Sequence, residues 1–134
     1  MSCYSRILLV DDNEMDNIFH EVILRRAGFG GEILIFELAQ EALTYLQADD
    51  SQAPLLIFLD INMPRMDGFE FAVQAEDLLQ RIPSAAVMML SSSSAEHDKK
   101  KAAGLAAIVG YIVKPLDEAL ARELIGGNFE TVKF

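Results

Sequence analysis

Three short, nearly all-apolar runs in this chain end in charge, and that coincidence limits the available folds more than any other feature. Asp11-Asp12 closes Ile7-Leu8-Leu9-Val10, Asp60 closes Leu55-Leu56-Ile57-Phe58-Leu59, and Lys114-Pro115 closes Ala107-Ile108-Val109-Gly110-Tyr111-Ile112-Val113. Such runs, rich in β-branched and aromatic residues, read as strands buried on both faces. That is the habit of a parallel sheet, whose ligands bind beyond the carboxyl ends of its strands. The charges are expected to converge at one edge.

Three carboxylates gathered there repel one another, by roughly 1 kcal/mol per pair at 4 Å in bulk water and about 4 kcal/mol where the effective dielectric is nearer 20. A hard divalent ion answers that repulsion: Mg²⁺ takes one or two carboxylates together with waters and phosphate oxygens, and Lys114 adds a mobile positive charge. The combination suits phosphoryl chemistry. Ordinary turn or N-cap aspartates are the competing reading, but capping uses one Asp at a time and never a lysine.

Along the chain, strands alternate with helices five times. Asn13 offers an N-cap, and Ile18, Phe19, Val22 and Ile23 recur at helical spacing as an apolar stripe until Gly28-Phe29-Gly30-Gly31 stops the first helix. A second strand spans 32–38, and Ala42, Leu43 and Leu46 mark a short second helix. Beyond Asp60, Asp67 and Glu70 stand in capping-box register for a third helix, which Pro83 bars from continuing. A fourth strand over 85–90 runs into Ser91, with Ser93 and Glu96 spaced for another capping box. The fifth strand reaches Lys114, and Leu116-Asp117 opens the last helix. Five β–α units at this length predict a doubly wound, three-layer α/β sandwich with a parallel sheet of order 2-1-3-4-5, whose switch point lies between the two strands that end in aspartate.

With 134 residues, 51% hydrophobic and 24% charged, one domain is expected over 1–134, with a core of about 5–126 and a tail of 127–134. On that expectation, no attached output module is foreseen. The net charge of −10 argues against direct nucleic-acid or anionic-membrane binding. The start lacks the apolar region of a signal peptide, and the longest apolar stretch, 102–113, is too short to span a bilayer, so a soluble, cytoplasmic protein without membrane insertion is expected. A single cysteine, Cys3, excludes an internal disulfide.

The ordered set of Asp11-Asp12, Asp60 within Leu59-Asp60-Ile61-Asn62-Met63-Pro64-Arg65-Met66-Asp67-Gly68, Ser91, Tyr111 and Lys114-Pro115 resembles the receiver domain of two-component response regulators, of the stand-alone chemotaxis-regulator type. The 2-1-3-4-5 order is itself that of the chemotaxis receiver, so the agreement in topology is not independent of the resemblance. The resemblance implies that Asp60 takes a phosphoryl group from a histidine kinase phosphohistidine. It further implies that Asp12 and Asp60 contact Mg²⁺ directly, Asp11 acts mainly through bound water, and the backbone carbonyl of Asn62 completes the protein ligands. Lys114 would pair first with the Asp60 carboxylate and then with phosphoryl oxygens.

On the same resemblance, Ser91 would hydrogen-bond a phosphoryl oxygen, and Tyr111 would enter the space its loop vacates, switching the surface of the fourth helix, fifth strand and fifth helix. Implied partners are a sensor histidine kinase or phosphotransfer protein, a downstream protein target and a phosphorylation-dependent homodimer. The only reactions expected are self-phosphorylation and self-dephosphorylation. The family often has threonine where Ser91 stands and a cis peptide where Lys114-Pro115 stands. His20, His97 and the Lys99-Lys100-Lys101 run read as structural or surface features. Two other functions remain open: an aspartyl-phosphate-using phosphatase, disfavoured because Asn62 replaces the second Asp of that site, and a phosphorylation-independent interaction module.

Overall fold

The computed structural model of the chain describes residues 2–134; Met1, the first residue of the expected unit, lies outside them. The apolar runs form one parallel sheet in the order β2-β1-β3-β4-β5. In chain order the elements are β1 (Arg6–Val10), α1 (Glu14–Arg26), β2 (Glu32–Phe36), α2 (Ala39–Ala48), β3 (Leu55–Leu59), α3 (Gly68–Gln80), β4 (Ala86–Ser91), α4 (Glu96–Ala103), β5 (Ile108–Val113) and α5 (Glu118–Ile125).

Because side chains alternate across a strand, the central strands feed two cores. Leu8, Val10, Leu55, Ile57, Leu59, Val87 and Met89 pack under α2, α3 and α4. Ile7, Leu9, Leu56, Phe58, Met88 and Leu90 pack against Leu24 of α1 and Ala121, Leu124 and Ile125 of α5. This is the expected sandwich. Among the described residues, no helix is long and apolar enough to cross a membrane.

Three local expectations need correction. The strand expected over 32–38 stops at Phe36, and Leu38 becomes the N-cap residue of α2 without a side-chain cap. The Ser93–Glu96 capping box does not form. Ala95 is the N-cap of α4, and Ser93 Oγ instead donates to Asp98 Oδ2 at 2.6 Å while accepting from Ala95 N–H at 3.2 Å. In α1 most of the apolar stripe faces outward: Ile18, Phe19 and Val22 are 45–49% exposed and only Ile23 packs on the core, whereas Asn17, His20 and Leu24 are buried. The inward polar pair is occupied, Asn17 by the Asp11 carbonyl and His20 by the backbone of Leu116.

The turn from β3 to α3 positions the loop after Asp60. Asp67 Oδ1 accepts from Glu70 N–H at 2.9 Å and Glu70 Oε1 accepts from Asp67 N–H at 3.1 Å, completing the expected capping box. Gly68 N–H donates to the Ile61 carbonyl at 2.8 Å, and a Cβ on Gly68 would collide with the Asp60 carbonyl oxygen. Only glycine lets the helix start so close to the strand end. Asp67→Ala is expected to lower unfolding stability by about 1 kcal/mol, as loss of an N-cap does, and Glu70→Ala by less; urea titrations of the variants measure both.

Candidate functional site

The β1–β3 register sets Val10 beside Leu59, so the next residues of both strands, Asp11 and Asp60, emerge side by side. The ladder runs one step further: Asp60 N–H donates to the Val10 carbonyl at 2.9 Å, and Asp11 N–H to the Phe36 carbonyl at 3.0 Å. Asp11 is then fixed by its neighbours in α1. Its Oδ1 accepts from Asn13 N–H at 2.9 Å, and its carbonyl accepts from Asn17 Nδ2 at 2.8 Å. Asp11, Asp12 and Asp60 each present a carboxylate oxygen, all within 4.8 Å of one another. Asp11 and Asp60 are buried and Asp12 is exposed.

Lys114 reaches this cluster from just beyond β5, where its backbone N–H donates to the Ser91 carbonyl at 2.8 Å and the peptide to Pro115 is cis. Its Nζ lies 2.7 Å from Asp11 Oδ2, 2.7 Å from Asp16 Oδ2 and 3.7 Å from Asp60 Oδ1. The expected pairing with Asp60 is thus the longest of the three. The two close contacts go to Asp11 and to Asp16, an acid in the first turn of α1. The one sequence signal for Asp16 is its place just before Asn17 and His20, the polar residues that α1 turns inward.

Burial alone pushes the Lys114 ammonium down, but the hydrogen bonds to Asp11 and Asp16 and the charge of Asp60 outweigh it, and the group is held above its ordinary value. Asp60 is raised as well, which for a carboxylate disfavours the charged form. Burial first, then the Asp11 charge, raise it to about 6 against the pull of Lys114. A carboxylate left partly unneutralised beside an ammonium needs more positive charge than Lys114 provides.

The remaining predicted residues lie around this centre. Ser91 is fully buried at the end of β4, and its Oγ accepts from Ser93 N–H at 3.1 Å. Tyr111 packs its ring against the α2–α3–α4 core, and its hydroxyl donates to the Ser93 carbonyl at 2.8 Å. Asn62 is exposed in the loop after β3. His20, read from the sequence as merely structural or surface, is 3% exposed and helps line a cavity of about 10 Å³ with Asp11, Asn17, Phe58 and Asp60. Its Nε2 accepts from Leu116 N–H at 3.4 Å, so it braces the segment that carries Lys114. Burial and nearby Lys114 push the imidazole down, which favours the neutral acceptor. A concavity of about 360 Å³ lies at the start of β4 and includes Glu76, Leu79, Pro83 and Val109, none of which belongs to the acidic cluster.

Residues 7–125 match the family model described as the response regulator receiver domain. Among curated relatives, response regulator Rcp1 of Synechocystis is 33% identical over 83 residues, covering 58% of this chain and 56% of that protein. Response regulator MprA of a Mycobacterium species is 34% identical over 120 residues, covering 87% of this chain and 48% of that protein. The chain thus spans about half the length of the curated relatives it matches. A response regulator receiver protein from Dyadobacter fermentans superposes with a TM-score of 0.80 at 29% identity, covering 89% of this chain and 93% of that one. The phosphorylated cyanobacterial phytochrome response regulator RcpA superposes with a TM-score of 0.73 at 28% identity, covering 96% and 93%.

The raised Asp60 carboxyl has a consequence for stability. Its ordinary value is 3.8 and its folded value about 6, so the native state holds the proton more tightly, stability falls as pH rises between those values, and the penalty is fully present above them. In metal-free buffer near about pH 7.5, Asp60→Asn is expected to raise stability by on the order of 2 kcal/mol. The gain should shrink toward zero as pH falls to about 4. Thermal unfolding in chelator across that range checks it, and added Mg²⁺ should stabilise the parent protein more than the variant.

Proposed function

Since this chain belongs to the response regulator receiver domain family, we propose that Asp60 is the Mg²⁺-dependent phosphoacceptor of a two-component phosphorelay. The observation that carries this reading is the placement of one buried carboxylate, Asp60, within 4.8 Å of two others and 3.7 Å from an ammonium. The donor set fits the ion: the cluster offers carboxylate oxygens, the hard ligands that Mg²⁺ prefers, with Asp12 open to solvent for the waters the ion keeps. When bound, the ion neutralises charge on the transferring phosphoryl group.

Every other step belongs to the chain. Asp12 and Asp60 would hold the ion directly, with Asp11 acting through bound water and the Asn62 carbonyl completing the protein ligands. An Asp60 oxygen attacks the phosphorus of a phosphohistidine on a kinase or phosphotransfer protein. A P–O bond forms as the P–N bond breaks, and the imidazole leaves with the bonding pair and takes up a proton from solvent. Lys114 gives up carboxylate partners for phosphoryl oxygens. Catalysis of this kind is mostly positioning and electrostatics.

The switch begins at Ser91, whose buried hydroxyl donates to a phosphoryl oxygen. That draws in the loop held by Tyr111, and the ring follows into the space left behind, remodelling the surface of α4, β5 and α5. New charge biases a two-state element, as phosphorylation switches generally do. A downstream protein and a second phosphorylated copy are the partners this surface serves. The source of phosphoryl groups places the work in the cytoplasm. The protein makes no metabolite; it phosphorylates and dephosphorylates itself.

Acetyl phosphate with Mg²⁺ should add one phosphoryl group by intact mass. Chelator or Asp60→Asn should abolish the adduct, and Lys114→Ala should slow its formation at least about tenfold, roughly 1.4 kcal/mol of lost transition-state stabilisation. Rapid turnover of many phosphomonoesters would instead establish a phosphatase. An absence of adduct with unchanged partner binding would establish a phosphorylation-independent module.

A further inference from the structure

A sheet edge presents unpaired N–H and C=O groups that template the addition of another strand, and β5 is one of the two edges here. It is filled by the chain's own final residues. Gly110 pairs antiparallel with Lys133, and Tyr111 N–H donates to the Val132 carbonyl at 3.1 Å. A tight turn shapes the segment, with Val132 and Lys133 N–H both returning to the Phe129 carbonyl at 3.1 and 2.9 Å. Phe129 and Val132 pack, half-buried, on the core beneath α5.

Gly110 makes this approach feasible. A Cβ there would stand 2.6 Å from the Val132 carbonyl oxygen and 2.9 Å from Met88 Sδ. Glycine inside a strand costs roughly 0.5–1 kcal/mol relative to alanine, and its presence often marks the close approach of another backbone. Here that backbone is the tail, and the contact is built into the strand.

Tyr111 joins this edge to the acidic site. Its N–H holds the tail, and its hydroxyl holds the Ser93 carbonyl at 2.8 Å, in the loop whose Ser93 N–H is tied to Ser91 Oγ. The residue that borders the tail is thus anchored to the loop nearest the phosphoryl position. Extended segments bind exposed edges by main-chain hydrogen bonds, with alternate side chains adding specificity. The tail is an example of that mode, with Phe129 and Val132 as its apolar anchors.

We propose that the β5 edge is a strand-binding surface, closed in the unphosphorylated protein by residues 129–134, and that phosphorylation of Asp60 loosens this strap through Tyr111, opening the edge to an extended apolar segment of a partner. The proposal rests on the reading of Asp60 as the phosphoacceptor. Linkage makes it reciprocal: if occupancy of Asp60 weakens the strap, weakening the strap must favour occupancy of Asp60.

The test uses the full chain with Mg²⁺ and beryllofluoride as the phosphoryl mimic, fluorine NMR reporting occupancy and amide exchange reporting the edge. Beryllofluoride is expected to speed exchange of the Tyr111 and Lys133 amides while the amides of β3 stay protected. Phe129→Ser with Val132→Ser, confined to the partly exposed tail, is expected to tighten beryllofluoride binding about fivefold or more. A labelled peptide of residues 127–134 should bind that variant more tightly in the presence of beryllofluoride than in its absence. Unchanged exchange at Tyr111 with beryllofluoride bound, or wild-type affinity in the double variant, would overturn the coupling. No fluorine signal from the parent protein would overturn the phosphoacceptor reading itself, a result distinct from either.

Discussion

The whole arrangement turns on how one ammonium is shared among three carboxylates. Lys114 sits 2.7 Å from Asp11 and Asp16 but 3.7 Å from Asp60. Two buried carboxylates side by side are unfavourable, and the lysine compensates one of them well and the other poorly. Asp60 therefore keeps an unmet demand for positive charge. On the proposed reading an ion and a phosphoryl group would meet that demand, and Lys114 would move to them because its present partners include Asp16, a half-exposed side chain on a helix surface. The resting site is held short of neutrality at the one carboxylate where chemistry is proposed.

That imbalance is imposed by the sheet. Parallel strands in the order β2-β1-β3-β4-β5 bring Asp11 and Asp60 out at adjacent positions, while Lys114 arrives from the far edge, tied at its backbone to Ser91. Two cores, one on each face, fix the strands from both sides. Buried strands with branched side chains have little freedom to relax. The repulsion between the carboxylates therefore persists in the fold, and the structure cannot dissipate it by moving the strand ends apart.

The central strands β1, β3 and β4 were legible because burial on both faces leaves an unmistakable apolar run bounded by polar residues, and β3 falls at 55–59 as read, whereas the edge strands β2 and β5 are partly exposed. The placement of Asp11, Asp12, Asp60 and Lys114 at the strand ends was legible for the same reason. Side-chain partners were not. Asp16 looked like any first-turn acid, and only the tertiary approach of Lys114 distinguishes it. The inward face of α1 was hidden because helical periodicity reports a stripe without saying which way it points. In α1 the polar Asn17 and His20 are needed by the Asp11 carbonyl and the Leu116 N–H, and so they displace Ile18, Phe19 and Val22 to the surface. The Ser93–Glu96 box failed because Ser93 is used by Asp98 and Ala95. The two phenylalanines of the tail left its docking on the sheet open among other fates, because its partner groups are backbone atoms of β5, which mark the sequence only at Gly110.

Ser93 shows how a local site can speak to a distant surface without a pocket between them. Its N–H answers to Ser91, its hydroxyl to Asp98 in α4, and its carbonyl to Tyr111 on β5. One residue of a strand-to-helix loop thus holds three elements by three separate groups, so it cannot shift toward the acidic cluster without loosening at least one of the other two. Packed interiors resist graded deformation and tend to exchange one set of contacts for another. In the proposed switch, a displacement begun at Ser91 would therefore be resolved as a choice between contacts at Asp98 and Tyr111, which are both on the face where α4 and β5 meet.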